Sequence, residues 1–338
     1  MFYNEYGDIM KKTYIITGAN GFLGNNIIRL LQNIDCEIRA LVHSKEKIKA
    51  LENLNCKIYY GDVTKKETLN NMFDVQNAIV IHCAGDVYIK SKYSENVYNV
   101  NVLGTKNIAD LCLKKNFKLI YVSSVHAIPI NKNETLSEIK EFFPNKVVGW
   151  YAKTKAEASN YILDLVKEKG LDACIVQPSA IIGPNDYSNS NSNELIKNVM
   201  LEKFPVAIKG GYDFVDVRDV ASGIINACYK GIKGECYILS NEYYSVSKLC
   251  NLVSEECNVK KIKIALPIWL IKPFAPLCEF YYNINNKTPL FTKCSLYTIG
   301  NNIKFSNEKA KKDLNYKTRD IRKTIKDTVN FYKNDYNS

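Results

Sequence analysis

The chain has 338 residues, of which 46% are hydrophobic and 24% are charged, and its formal net charge is +11. This composition supports a large buried core and excludes a disordered chain, while the length allows two domains or one large domain with an added lobe. Acidic residues interrupt the basic ones between Lys304 and Lys326, and no basic run alternates with aromatic residues, so we expect no nucleic-acid binding.

The eleven cysteines are scattered without a CxxC motif, and the three histidines show no HExxH spacing. The sequence therefore predicts no metal site and favours reduced thiols in the cytoplasm. The most hydrophobic stretch, Ile264 to Tyr282, contains three prolines as well as Lys272 and Glu279. Because a spanning helix tolerates such residues poorly, we expect no stable membrane insertion. Residues 1–9 precede a second methionine, Met10, and are expected to form a loose leader.

Short apolar runs alternate with helical patterns through the first half of the chain. The predicted strands are Thr13–Thr17, Glu37–Val42, Lys57–Tyr60, Ala78–His82, Lys118–Ser123 and Ala173–Gln177. The predicted helices between them are Phe22–Gln32, Lys45–Asn53, Lys65–Phe73, Asn96–Lys115 and Tyr151–Lys169. Apolar strands that alternate with helices are typical of the α/β class, and they predict a Rossmann-type, doubly wound parallel sheet covered on both faces.

The alternation becomes irregular beyond Pro178. A loop rich in Asn, Ser and Pro covers 184–193, a helix is predicted at Glu194–Lys203, and Phe214–Tyr229 resumes a strand followed by a helix. Helical patterns dominate from Val246 onward. We therefore expect a main domain at 10–178, to which 212–243 returns, and a smaller, mainly helical C-terminal lobe formed by 179–211 and 244–335.

A glycine-rich stretch, TGANGFLG at 17–24, lies between the first predicted strand and the first predicted helix. In this position Gly18 permits a tight turn, Gly21 lets the backbone approach a pyrophosphate, and Gly24 lets the helix pack closely. The N–H groups at the helix N-terminus and its partial positive charge favour phosphate. The main domain is therefore predicted to bind a dinucleotide through Gly18, Asn20, Gly21, Phe22, Leu23 and Gly24.

The end of the second predicted strand bears on the choice of dinucleotide. An enzyme that selects NAD usually carries Asp or Glu there, whereas this chain has His43 and Lys45, which can receive a 2′-phosphate. We therefore expect NADP, with NAD as the alternative; both side chains could instead simply face solvent. Asp62 is either a further contact or a helix N-cap. Small residues after the fourth strand would let the backbone pass beside the cofactor, so Ala84 and Gly85 are candidate contacts. Val63, the residue after Asp62, is a further candidate.

Tyr151 and Lys155 are one turn apart on a predicted helix, so both side chains project from the same face. A phenol has an ordinary pKa near 10, and a neighbouring ammonium is expected to lower the pKa of Tyr151 and make it a usable acid or base. Ser124, at the end of the fifth predicted strand, can donate a hydrogen bond to a substrate oxygen. The predicted catalytic residues are therefore Ser124, Tyr151 and Lys155.

Nearly the whole chain resembles the extended short-chain dehydrogenase/reductases, also called the NAD-dependent epimerase/dehydratase superfamily. The motifs that carry the resemblance are TGANGFLG (17–24), GDVT (61–64), NVNVLGT (99–105), YVSS (121–124), YAKTK (151–155), QPSAIIGP (177–184) and FVDVRDVASGI (214–224). The resemblance implies that Ser124 and Tyr151 hold the reacting oxygen. It also implies a homodimer packed through Asn96–Lys115 and Tyr151–Lys169, and cofactor contacts from Asp62, Asn101, Tyr151, Lys155 and Pro178.

Three absences guide the choice of branch. Sugar 4,6-dehydratases of this fold carry an Asp-Glu pair after the catalytic hydroxyl residue, but here Val125 and His126 follow Ser124. Nucleotide-sugar epimerases usually carry an acid at the end of the second strand and an arginine before the segment matching 214–216, and both are missing. The stretch 266–280 is instead similar to dihydroflavonol 4-reductase-like and 3β-hydroxysteroid-dehydrogenase-like members, and an apolar lobe suits a hydrophobic carbonyl compound.

The expected function is hydride transfer between a nicotinamide dinucleotide and a ketone, an aldehyde or the corresponding alcohol of a small apolar substrate. One alternative is a nucleotide-sugar epimerase or dehydratase, and another is a redox sensor that binds the dinucleotide without chemistry. His126 either contacts the substrate or has only a structural role.

Overall fold

The computed structural model describes residues 12–43, 48–87, 93–131, 134–275 and 292–336. The expected leader at 1–9 and the side chain of Lys45 lie outside them. The strands in these ranges are β1 (Lys12–Thr17), β2 (Cys36–Val42), β3 (Lys57–Tyr60), β4 (Ala78–His82), β5 (Lys118–Val122), β6 (Thr135–Leu136), β7 (Ala173–Pro178), β8 (Ala180–Ile182), β9 (Ala207–Ile208), β10 (Gly211–Asp216), β11 (Cys236–Leu239), β12 (Glu242–Ser245), β13 (Ala265–Leu266) and β14 (Lys304–Phe305).

The α-helices of the described ranges are α1 (Phe22–Leu31), α2 (Glu95–Tyr98), α3 (Gly104–Lys115), α4 (Trp150–Lys169), α5 (Asn191–Met200), α6 (Val217–Lys230), α7 (Val246–Cys257), α8 (Ile268–Ile271), α9 (Lys293–Gly300), α10 (Glu308–Leu314) and α11 (Ile321–Tyr336). None of these helices combines the length and the apolar character needed to cross a membrane, a finding that covers only the described part of the chain.

Seven strands form one parallel sheet in the order β11-β7-β5-β4-β1-β2-β3. The six strands predicted in the first half are all present, and β11 adds an edge, so the predicted doubly wound α/β fold is confirmed. β1 pairs with β2 on one side and with β4 on the other, so the order of the strands reverses there. The carboxyl ends of β1 and β4 therefore border a crevice, which is where ligands bind in open parallel sheets.

Alternating side chains of the strands build a separate core on each face of the sheet. Tyr14 and Ile16 pack on one face with residues of α1 and α6, whereas Ile15 packs on the other face with residues of α3 and α4. All three side chains are fully buried. Because burying a large apolar side chain contributes about 1.5–3 kcal/mol, the two cores are the main source of stability.

Three of the predicted helices differ in type from a continuous α-helix. Within the described part of the Lys45–Asn53 prediction, only the 3₁₀ turn Lys49–Leu51 is helical. Lys66–Met72 is a 3₁₀ helix, and the Asn96–Lys115 prediction is interrupted by a π-helical turn at Asn99–Leu103. At the start of the 3₁₀ helix the Thr68 hydroxyl binds the Lys65 carbonyl at 2.7 Å and the Asp62 N–H at 3.0 Å. A threonine side chain that competes for backbone groups in this way disfavours a regular α-helix.

The second half of the chain is shared between small sheets and helices. The expectation that the strand within Phe214–Tyr229 joins the main sheet is wrong, since β10 pairs with β8 and β12, and it is β11 that returns to the main sheet. Ala310 and Leu314 of α10 pack into the core beside α6. Helices α5, α7 and α11 pack together beyond the small sheet. The division of the chain into a dinucleotide domain and a substrate lobe stays a prediction.

The turn between β1 and α1 is closed by glycines that have no room for a side chain. Gly18 adopts φ +64°, and a Cβ there would lie 2.8 Å from the backbone nitrogen of Ala84. A Cβ at Gly24 would lie 2.2 Å from the carbonyl oxygen of Gly18. Helix α1 therefore depends on Gly24 to start so close to the turn.

We predict that Gly24→Ala lowers the free energy of unfolding by at least about 3 kcal/mol, because the new methyl group meets fixed backbone. Gly223→Ala in α6 is the matched control. Its Cβ would meet side-chain atoms of Tyr316 and Leu239 at 3.0–3.2 Å, and these can shift. We expect this control to change stability by less than about 1 kcal/mol, since alanine also favours the helix. Urea denaturation measures both, and equal losses would contradict the argument.

Candidate active site

The N-terminus of α1 faces the crevice with its backbone N–H groups. Gly21 is the N-cap, so no side chain accepts hydrogen bonds from the first turn, which also contains no acidic residue. The Gly21 N–H itself donates to the Gly18 carbonyl at 3.0 Å. Because a helix N-terminus carries a partial positive charge and unpaired N–H groups, this turn fits a pyrophosphate.

The other predicted residues of the turn contribute differently. Phe22 is buried and Leu23 is half-buried against the core on the α1 face, so neither side chain is freely exposed, and both residues offer backbone N–H groups of the first helical turn. Asn20 is partly exposed at the tip of the turn. The structure thus brings the six residues predicted from the glycine-rich stretch together at one end of the crevice.

Asp62 and His43 meet at the carboxyl edge of β2 and β3. The His43 Nε2 lies 3.6 Å from Asp62 Oδ2, and the His43 side chain is 78% exposed. Burial raises the pKa of Asp62, but hydrogen bonds from the N–H and hydroxyl of Thr64, together with His43, bring that pKa below its ordinary value. Val63 is buried beneath Gly104, where a Cβ would lie 2.7 Å from its Cγ2.

The segment after β4 lies between the glycine turn and α4. Ala84 N–H donates to the Thr17 hydroxyl at 3.2 Å. Asn101, in the π-helical turn, accepts from Asp86 N–H at 2.8 Å and donates to the Thr154 hydroxyl at 3.1 Å. A Cβ at Gly85 would lie 3.3 Å from both Asn101 Oδ1 and Lys155 Nζ. Gly85 therefore leaves the space in which these two side chains approach the crevice.

A buried histidine that the sequence interpretation did not assign links these segments. His82 Nδ1 lies 2.6 Å from the Thr17 hydroxyl, and His82 Nε2 lies 3.0 Å from the Thr105 hydroxyl, which donates to the Asn101 carbonyl at 2.7 Å. Burial, together with the charge of Lys155, lowers the pKa of His82 to about 3. The neutral ring thus ties the glycine turn to the π-helical turn. Its partners are far apart in the chain, so no sequence motif reveals it.

The three predicted catalytic residues lie at the carboxyl edge of β5 and the start of α4. Ser124 is buried, and Tyr151 is partly exposed to the crevice. Lys155 is only 4% exposed, and its Nζ donates to the Val122 carbonyl at 2.8 Å and lies 4.9 Å from the Tyr121 ring centroid. Pro178 ends the neighbouring strand β7.

The acidity of the pair differs from the sequence-based expectation. Burial raises the pKa of Tyr151 to about 12, and hydrogen bonding with Ser124 offsets only part of this rise. Burial lowers the pKa of Lys155 to about 8. The expectation that Lys155 lowers the pKa of Tyr151 is therefore wrong for this structure, because the ammonium is directed to Val122. A phenol with this pKa is protonated at neutral pH, as a proton donor must be.

A parallel sheet with a glycine turn at its crevice and a Ser–Tyr–Lys set beside it defines an NAD(P)-dependent oxidoreductase that acts on hydroxyl or keto groups. The model of the NAD dependent epimerase/dehydratase family matches residues 14–240. The chain belongs to this family.

The proteins that are similar to this chain include one named as a reductase and one named as a dehydrogenase. A Synechocystis protein provisionally named a dihydroflavonol 4-reductase is 28% identical over 331 residues, covering 96% of each chain. The 3beta-hydroxysteroid-dehydrogenase/decarboxylase isoform 1 of Arabidopsis thaliana is 26% identical, covering 89% of this chain and 75% of its own. The crystal structure of gox2253 superposes with a TM-score of 0.83 at 29% identity, covering 96% of this chain and 98% of that one.

We predict that Lys155→Met changes how stability depends on pH. With the folded pKa near 8 and an unfolded pKa near 10.5, the unfolded wild type binds more protons between these values, so the cost of burying the charge is relieved as pH rises. The stability of the wild type should therefore rise relative to Lys155→Met by about 3 kcal/mol between pH 7 and pH 10.5, at about 1.4 kcal/mol per pKa unit. Urea denaturation at both pH values tests this, and a pH-independent difference contradicts it.

Proposed function

We propose that the protein is an NADPH-dependent reductase of ketones or aldehydes with an apolar body. The observation that carries the proposal is the placement of Tyr151, a protonated phenol, beside Ser124 at the edge of the dinucleotide crevice. A bound dinucleotide supplies the hydride that such a reduction needs.

Each of the three side chains has a distinct part in the proposed reduction. Ser124 donates a hydrogen bond to the carbonyl oxygen and orients it, and Tyr151 donates the proton that this oxygen gains. Loss of that proton leaves a phenolate on Tyr151. The buried ammonium of Lys155 donates to the Val122 carbonyl and so holds the start of α4, which carries Tyr151, against the end of β5.

A cavity lined by His126, whose ring centroid lies 6.0 Å from that of Tyr151, supports an apolar substrate. Aliphatic and aromatic side chains form most of its wall, among them Val125, Ile128, Leu136, Val147, Ile303 and Phe305. Ligand pockets with walls of this composition bind largely apolar compounds through a few placed polar groups. Two of the relatives are named a dihydroflavonol reductase and a hydroxysteroid dehydrogenase. Both names refer to largely apolar ring compounds, which agrees with this composition.

The site lacks the groups that the alternative reactions need. Val125 and His126 follow Ser124, so the acid pair of a sugar dehydratase is missing. The residues that precede the 214–216 segment are Tyr212 and Asp213, both buried. Neither carries a positive charge that could bind a sugar diphosphate. These features favour a reductase over an epimerase or a dehydratase.

Replacing Tyr151 with phenylalanine tests the proposal, because it removes the proton donor and keeps the ring. We expect NADPH-dependent reduction of aryl ketones to fall by about 10²–10⁴-fold while NADPH binding changes less than about threefold. Tyr161→Phe is the matched control, since its phenol lies on the same helix and donates to Asp110 at 2.6 Å instead. Purified wild-type protein that fails to bind any nicotinamide dinucleotide, or an active Tyr151→Phe enzyme, would overturn the proposed function.

We also propose a preference for NADPH over NADH, supported by the exposed His43 and the absence of an acid at the end of β2. Titration of protein fluorescence should give at least about tenfold tighter binding of NADPH, as a contact to the 2′-phosphate adds charge-assisted hydrogen bonds. His43→Ala combined with Lys45→Ala should abolish this ratio and leave NADH binding within about threefold. Equal binding of both dinucleotides by the wild type would refute the preference.

Two further proposals concern the setting in which the enzyme acts. We propose a homodimer through α3 and α4 and the segment that leads into α3, a surface on which the two helices lie side by side. We also propose that the protein acts in the cytoplasm. Each cysteine in the described ranges is a free thiol, as expected for a reducing compartment.

A further inference from the structure

His126 is tied directly to the catalytic serine. It lies in the 3₁₀ turn Val125–Ala127, which Ser124 caps, and its backbone N–H donates to the Ser124 hydroxyl at 3.2 Å. The imidazole is partly exposed and forms part of the wall of the apolar cavity. The turn that carries the imidazole is therefore fixed to Ser124 at the edge of the cavity.

Aromatic contacts hold the imidazole in one orientation. Its centroid lies 6.0 Å from that of Tyr151 in an edge-on arrangement and 5.6 Å from that of Tyr212, with 13° between those two planes. Tyr212 is buried and packs against Phe305 at 5.8 Å. Because two neighbouring rings contact the imidazole, packing restricts the direction of its nitrogen atoms.

The nitrogen atoms of the ring have unequal partners. Nε2 lies 3.4 Å from the Tyr212 hydroxyl, a long contact. Nδ1 has no hydrogen-bond partner within the described ranges. It is not one of the fully buried polar atoms without a partner, so it is accessible from the cavity. Burial lowers the pKa of His126 to about 4, so the ring is neutral at physiological pH, with one nitrogen donating and the other accepting. The neutral imidazole can therefore form hydrogen bonds, but it carries no positive charge that would attract an anion.

We propose that His126 determines specificity by hydrogen-bonding a second oxygen of the substrate, on the carbon next to the reacting carbonyl. This inference rests on the proposed reductase function and narrows its substrates to apolar hydroxyketones and diketones with adjacent oxygens. The ring centroid of His126 lies 6.0 Å from that of Tyr151, so the second oxygen lies close to the reacting carbonyl. The rest of the cavity wall takes the apolar body.

Two ketones of the same shape probe this subsite with NADPH. Benzoin carries a hydroxyl next to its carbonyl, and deoxybenzoin lacks it. We expect the wild type to show a kcat/KM at least about tenfold higher for benzoin, since one good hydrogen bond to a fixed group corresponds to roughly a five- to hundredfold effect.

The matched variants are His126→Asn and His126→Leu, which have the same size and both lose the aromatic packing. Asparagine keeps a polar group near the position of Nδ1, whereas leucine does not. We expect the benzoin to deoxybenzoin ratio to stay above about five in His126→Asn and to fall to about one in His126→Leu. A role limited to supporting Tyr151 would lower kcat for both ketones equally in both variants.

The inference is overturned if the wild-type ratio is about one, or if the two variants give the same ratio. If the wild type reduces neither ketone, the proposed function has failed for this class of substrate, and binding decides the inference separately. In that case benzoin must raise the Tm of the wild-type protein with NADPH more than deoxybenzoin does, and His126→Leu must lose this difference. Equal Tm shifts would also overturn it.

Discussion

The burial of the Lys155 ammonium is the constraint on which the site depends. Removing such a charge from water costs several kcal/mol unless neighbouring dipoles compensate. The Val122 carbonyl and the face of Tyr121 supply part of this compensation, and both belong to β5. Helix α4 is therefore held against the carboxyl end of β5, and that contact sets the position of Tyr151 relative to Ser124.

Two different environments meet at Tyr151. On the dinucleotide side, hydroxyl and amide groups around His82 connect the glycine turn, the segment after β4 and the π-helical turn, so these backbone segments hold a common geometry. On the other side, Tyr212 and Phe305 belong to an apolar wall, in which His126 supplies a neutral polar group. A polar, rigid cofactor side and an apolar substrate side fit the reduction of a hydrophobic carbonyl compound.

Local patterns were sufficient to predict the main sheet and to locate Ser124, Tyr151 and Lys155 at the end of β5 and the start of α4. Apolar runs located the six strands predicted for the main sheet, because strands buried on both faces carry few polar residues. The 3₁₀ form of Lys66–Met72 was less predictable. The Thr68 hydroxyl forms hydrogen bonds with backbone groups there, and the spacing of apolar residues gives no sign of such bonds. β10 is as fully buried as the central strand β4, and its strand partners are decided by contacts between segments that are distant in the sequence.

The sequence by itself determined the fold class, the glycine turn and the Ser124, Tyr151 and Lys155 set, because each depends on spacing within one short segment. The tertiary structure alone decided the acidity of that set, since burial raises the pKa of Tyr151 to about 12 while the Lys155 ammonium donates to the Val122 carbonyl. The tertiary structure also decided which groups His82 and His126 contact. A histidine has the same chemistry everywhere in a sequence, and only the groups that surround it in the fold determine what it binds.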